Sequence, residues 1–201
     1  MVLDVAEALG WQRFSLMGHS MGAGIATLVP AVARDRIERL VLLEGMGPLS
    51  SSPDDAPEQL AKALRSEAAV TRAEPNVYRD FDAAVTARMK NSDLDRASAR
   101  LLVERGVEVV ALGVRFTFDP MLKTSSRVRL TEEQVLAFLV GIECPVLSVR
   151  ASRGWPFPEH VIARRSAAIA DLRTTLVEGG HHVHLTDPER VAPLVREFLG
   201  A

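Results

Sequence analysis

The sequence predicts an α/β fold: a parallel sheet with flanking helices, and a mainly helical segment inserted between two of its strands. Short apolar runs stand at 13–17, 39–43, 145–149 and 174–177, as expected of strands covered on both faces. Stretches with helical spacing of apolar residues alternate with them, which implies parallel strands joined by helices. The block from 48 to 142 breaks that alternation.

Arg13-Phe14-Ser15-Leu16-Met17 leads into a Gly-rich turn. Met21 to Ala33 then reads as one helix, with Ile25, Leu28, Val29 and Val32 at helical spacing. Arg39 to Leu43 is the second strand, and Pro48 to Asp55 is a loop by composition. Helical stretches are expected near 57–70, 76–90 and 93–105, and a small hairpin within Val107 to Phe118 with Gly113 at its turn. Leu130 to Val140 reads as a helix in which Thr131 and Gln134 make a capping box. Pro145 to Val149 and Thr174 to Val177 are the last two strands, with a helix near 159–170 between them. Asp187 and Pro188 look like the N-cap and first position of a final helix ending at Leu199. These boundaries give a core of 1–47 and 143–201 and a mainly helical cap of 48–142. A cap inserted there is expected over the strand ends, where open α/β sheets place their ligand sites.

The chain has 201 residues, 47% hydrophobic and 25% charged, with a net charge of -2. That balance offers no polyanion-binding surface, so no nucleic-acid partner is expected. No apolar run is long enough for a bilayer and no leader stands at Met1, so the expectation is a cytoplasmic protein without a membrane partner. Cys144 is the only cysteine, which excludes an internal disulfide and predicts a small core residue.

Gly18-His19-Ser20-Met21-Gly22 lies between a strand and a helix, the context of a nucleophile elbow. A tight turn lifts the Ser20 hydroxyl above the sheet. Side chains at Gly18 and Gly22 are expected to clash with the crossing backbone, and Gly24 adds a close-packing glycine. The Met21 backbone N–H is placed to serve as an oxyanion-hole donor. Serine needs a base to take its proton. Gly179-Gly180-His181 follows the last strand, and its glycines let the loop turn back over the sheet. His181 is the expected base, with His182 as its competitor. His184 is expected to order that loop or to pack at the helix start, His19 to be structural or to line the pocket, and His160 to lie on a helix surface. His181, His182 and His184 lack metal-ligand spacing on a helix, so no metal or other cofactor is expected.

The base needs a carboxylate to fix its tautomer. Glu44 ends the strand after the elbow helix, and adjacent parallel strands bring their tips together. The order Ser20, Glu44, His181 also suits such a triad. Asp119 and Asp187 are weaker candidates. Met46, Phe116, Phe118, Trp155 and Phe157 are candidate apolar lining.

The segments Gly18-His19-Ser20-Met21-Gly22-Ala23-Gly24, Leu42-Leu43-Glu44-Gly45-Met46-Gly47-Pro48 and Gly180-His181-His182-Val183-His184-Leu185 resemble the α/β-hydrolase superfamily, and within it the serine hydrolase-like subgroup. The run from Leu130 to Phe138 is similar to that subgroup too. The resemblance extends from Leu3 to Leu199. In many members the acid follows the third strand identified here, where this chain has Gly154. The haloalkane dehalogenase branch carries its acid at the position of Glu44 but uses an Asp nucleophile, so Ser20 argues against dehalogenation. The resemblance implies an α/β-hydrolase fold lacking its first strands, because members carry further strands and a His-Gly-type oxyanion loop before the part that begins at Met1. Loss of that donor costs roughly 3–4 kcal/mol of transition-state stabilisation. The first strand is then an exposed edge open to self-association. The functional expectation is a serine hydrolase of a small ester or related acyl substrate, impaired in this chain. The alternative is a non-catalytic remnant that binds a ligand or partner.

Overall fold

Four apolar runs become four parallel strands. They are β1 (Phe14–His19), β2 (Ile37–Leu43), β5 (Val146–Arg153) and β6 (Leu172–Gly180), in the order β1-β2-β5-β6. The computed structural model describes residues 1–90 and 92–200. Its chain divides into two units, Met1–Ser52 with Leu130–Ala201, and Pro53–Arg129.

In the first unit, strand pleating sends alternate side chains to two separate cores. Leu40 and Leu42 pack with Ala23, Ala26, Val135 and Leu139 on one face. Val41 and Leu43 pack with Leu147, Val149, Val183 and Val191 on the other. The helices that supply these faces are α1 (Val2–Ala8), α2 (Met21–Ala26), α3 (Leu28–Val32), α7 (Glu132–Val140), α8 (Glu159–Ala168), α9 (Val183–Thr186) and α10 (Pro188–Leu199). Cys144 is buried in the first core, and burial pushes its thiol up.

The second unit holds α4 (Ala56–Arg72), α5 (Phe81–Lys90), α6 (Arg96–Gly106) and the antiparallel hairpin of β3 (Val107–Val110) and β4 (Gly113–Phe116). The second helix starts at Phe81 rather than near 76, because Tyr78 pairs with Val114 through two 2.8 Å backbone hydrogen bonds. Gly113 opens β4 at φ +139°, and a Cβ there would overlap the Tyr78 carbonyl.

Several boundaries depart from the expected ones. The helix over 21–33 is two helices: Pro30 has no N–H to return to the Ala26 carbonyl, and Thr27 turns its hydroxyl back to the Gly24 carbonyl at 2.7 Å. Ile25 and Val32 are exposed, and Ala23, Ala26 and Val29 supply the buried face. The inserted unit spans 53–129 instead of 48–142, since Val135 and Leu139 on α7 are fully buried in the sheet's core. The Thr131–Gln134 capping box is present on α7. Asp187 stands at the N-cap of α10 without a side-chain cap bond, its carboxylate accepting from Arg190 at 2.7 Å instead. No helix among the described residues is long and apolar enough to cross a membrane.

One buried cation ties the loop after β2 to the helical layer. Arg165 on α8 is only 1% exposed and donates to both Glu132 oxygens, at 2.9 and 2.7 Å. It also donates to the Met46 carbonyl at 2.7 Å and the Ser50 hydroxyl at 3.3 Å. Arg165 holds the Glu132 carboxyl down at about 2. The folded value lies below the ordinary 4.5, so this pair stabilises the fold above pH 4.5 and ceases to do so as pH falls towards 2. Arg165→Met is expected to cost roughly 3–5 kcal/mol at pH 7, because it strands the carboxylate and the Met46 carbonyl. It should also flatten the acid limb of stability, and denaturant unfolding at pH 7 and pH 3 checks both outcomes.

Candidate active site

Three of the expected site residues stand just past strand ends. Ser20 follows β1, Glu44 follows β2 and His181 follows β6. The Ser20 N–H bonds the Leu43 carbonyl at 2.9 Å and the Glu44 N–H bonds the Val149 carbonyl at 3.0 Å. The ladder therefore still holds both residues in register one position beyond their strands. Both then leave the extended region, Ser20 and Glu44 each at φ +54°. A non-glycine residue stays in that region only where its surroundings over-determine it. At Ser20 the constraint is a close backbone crossing. A Cβ on Gly18 would overlap the Gly22 carbonyl, and one on Gly45 would sit 2.8 Å from the Ser20 carbonyl. Gly24 lies against Gly47, where a Cβ would stand 3.2 Å from its carbonyl oxygen. Gly22 differs from expectation, since a Cβ there would meet nothing within 4 Å.

His181 has the furthest to come. β6 lies three strands from β1, about 14 Å at the usual strand spacing. Gly179, at φ +148°, turns the chain back, and Val183 closes against it, leaving no room for a Cβ. Val183 is itself buried in the second core, which anchors the returning loop.

The result is a connected chain of polar atoms. Ser20 Oγ lies 2.8 Å from His181 Nε2, and His181 Nδ1 lies 3.1 Å from Glu44 Oε2. An ionised carboxylate only accepts, so Nδ1 carries the imidazole proton and Nε2 accepts from the Ser20 hydroxyl. Glu44 is 6% exposed. Burial pushes its carboxyl up, but hydrogen bonds from His181, the Ala151 N–H and the Trp155 N–H outweigh that and leave it below its usual range. The two backbone donors stand at 2.5 and 2.9 Å.

Gly154 lies in the loop that cradles Glu44, and a Cβ on it would fall inside the Glu44 carboxylate. The Glu44 carboxylate thus fills the space that a side chain at 154 would take.

The other candidates fall elsewhere. His182 stands at the N-cap of α9, its ring centroid 5.1 Å from that of His181. His184 lies on α9, with its ring 4.1 Å from that of His19. His160 is exposed on α8. Asp119 caps a short 3-10 turn through Met121, and Asp187 pairs with Arg190. Met46 belongs to the core, and Phe116 packs with Tyr78 and Phe118. Trp155 stands half exposed with its ring 5.8 Å from that of His181. Among the described residues no group of three His, Cys, Asp or Glu is arranged to hold a metal ion.

Residues 1–188 match the alpha/beta hydrolase fold family. The chain belongs to that family. It is 31% identical over 215 residues to a serine hydrolase-like protein of Dictyostelium discoideum, covering 98% of this chain and 58% of that protein. It is 30% identical over 208 residues to a serine hydrolase-like protein of Danio rerio, covering 98% and 64%. The chain thus spans less than two thirds of either relative. Among solved structures, the hypothetical protein PA1622 of Pseudomonas aeruginosa superposes with a TM-score of 0.86 at 37% identity, covering 98% of this chain and 70% of that one.

Gly154→Ala tests the cradle. Its new methyl meets the flexible end of a side chain, so the hydrolase core should still fold, at a cost of about 1–3 kcal/mol for the backbone donors left unpaired. The displaced carboxylate should abolish the low-field Nδ1 proton resonance of His181, read by NMR.

Proposed function

We propose that the chain is a serine hydrolase acting on a small ester or related acyl substrate. What carries the reading is the continuous hydrogen-bonded chain from Ser20 Oγ through His181 to Glu44. Family membership and the serine hydrolase-like relatives support the same chemistry.

In this reading Ser20 Oγ attacks the acyl carbon while His181 Nε2 takes its proton. The positive charge that forms on His181 faces Glu44, a carboxylate already held ionised by two backbone N–H groups. Glu44 needs no proton of its own. It fixes the tautomer and stabilises the imidazolium. The Met21 N–H, next along the turn, donates to the oxygen on which negative charge develops. His181 then gives its proton to the leaving group, an acyl-Ser20 ester remains, and water attacks it by the same route in reverse.

A fluorophosphonate probe is expected to label the chain at Ser20, and Ser20→Ala should remove the label. An unlabelled wild-type chain returns the reading to ligand binding without catalysis. Glu44→Gln preserves the size of the side chain and should lower turnover of a small aryl ester by roughly 10²- to 10⁴-fold. Wild-type turnover in that variant removes Glu44 from the mechanism.

A further inference from the structure

We propose that His19 is a positioning residue, a latch that holds the backbone of the His181 loop against the nucleophile turn; this rests on the Ser20–His181–Glu44 reading above. The His181 ring is steered through both nitrogens, by Glu44 at Nδ1 and by Ser20 at Nε2. Neither contact reaches the backbone that carries the ring. That backbone follows Gly179 and Gly180, residues with no side chain to restrain the loop.

Val183 anchors the loop beyond the base, and a second restraint, on His181 itself, comes from the opposite end of the sheet. His19 Nε2 lies 2.8 Å from the His181 carbonyl oxygen. A carbonyl only accepts, so His19 carries its proton on Nε2 and donates it. His19 is also the residue directly before Ser20. The residue that ends β1 and leads into the nucleophile turn therefore also grips the chain that presents the base. Both partners in the proton transfer take their position from a single residue.

The His19 ring is wedged so that it can do this. Its centroid lies 4.8 Å from that of His181, 5.3 Å from that of His182 and 4.1 Å from that of His184. Burial lowers the His19 pKa, the His181 carbonyl opposes this, and the His181 and His182 rings add to the lowering. A neutral His19 donates its hydrogen bond without setting a second positive charge against the imidazolium that forms on His181.

His19→Phe retains an aromatic ring and removes the donor, and His19→Gln returns an N–H near the place of Nε2. The readout is the rate at which a fluorophosphonate labels the full chain: Ser20 Oγ bonds phosphorus, fluoride leaves, and the hydroxyl proton passes to His181. His19→Phe should label about 10- to 100-fold more slowly, the cost of a small misplacement of the base. Its melting temperature should fall only by the few degrees that one unpaired backbone carbonyl costs, and His19→Gln should recover most of the rate. Wild-type labelling in His19→Phe overturns the latch, and so does a loss that Gln fails to repair. A wild-type chain that does not label at Ser20 overturns the hydrolase reading alone. The imidazole ¹⁵N shifts of His181 then decide the latch. A fixed Nδ1–H tautomer in wild type and His19→Gln, averaged in His19→Phe, upholds it. Identical spectra in all three overturn it.

Discussion

The Glu44 carboxylate is where three of the four parallel strands are tied together at their C-terminal ends. It leaves β2, accepts from the Ala151 N–H of β5 and the Trp155 N–H just beyond it, and faces the imidazole that follows β6. A buried charge is tolerated only where hydrogen bonds replace its lost water. Here both oxygens are engaged, by two backbone donors of the 151–155 segment and by the His181 ring. Removing any of these partners frees more than one element. The return of His181, the shape of the loop at 151–155 and the φ +54° backbone of Glu44 itself are three aspects of this one solvation requirement.

A second buried charge performs a comparable task. Arg165 holds the Met46 carbonyl and the Ser50 hydroxyl, so the chain just after Glu44 is fixed before it leaves for the second unit. Gly47 lies against Val135 and Arg165 at φ +82°, which leaves no space for a side chain between the loop and α7. The position of Glu44 is thus constrained from both sides, by the sheet ladder before it and by the arginine network after it.

Local rules carried much of this into the sequence. A strand, two glycines each two positions from a central serine, and a helix can be read without a structure, because the backbone crossing at Ser20 needs glycine at 18. The capping box at Thr131 and Gln134 is equally local. The rest depends on contacts distant along the chain. Arg165 looks like a solvated helix residue, since its buried partners lie 33 and 119 positions away. The N–H groups of Ala151 and Trp155 have no sequence signature, because every non-proline residue carries one. Tyr78 shortened a helix by pairing with a strand 36 residues on, which periodicity does not register. Gly22 shows the opposite limit, a glycine within a recognised motif whose side-chain space is open.

The relation between Gly154 and Glu44 reaches beyond the present site. One volume in the fold holds one carboxylate, and two chain positions border it. A side chain acquired at 154 expels the group at 44, and shortening the group at 44 leaves a hole that only a side chain at 154 fills. The two positions are therefore epistatic. A substitution at either position is tolerated only as far as the other gives way. Two residues far apart in the chain thus answer to each other as if they were neighbours, because they compete for the same space.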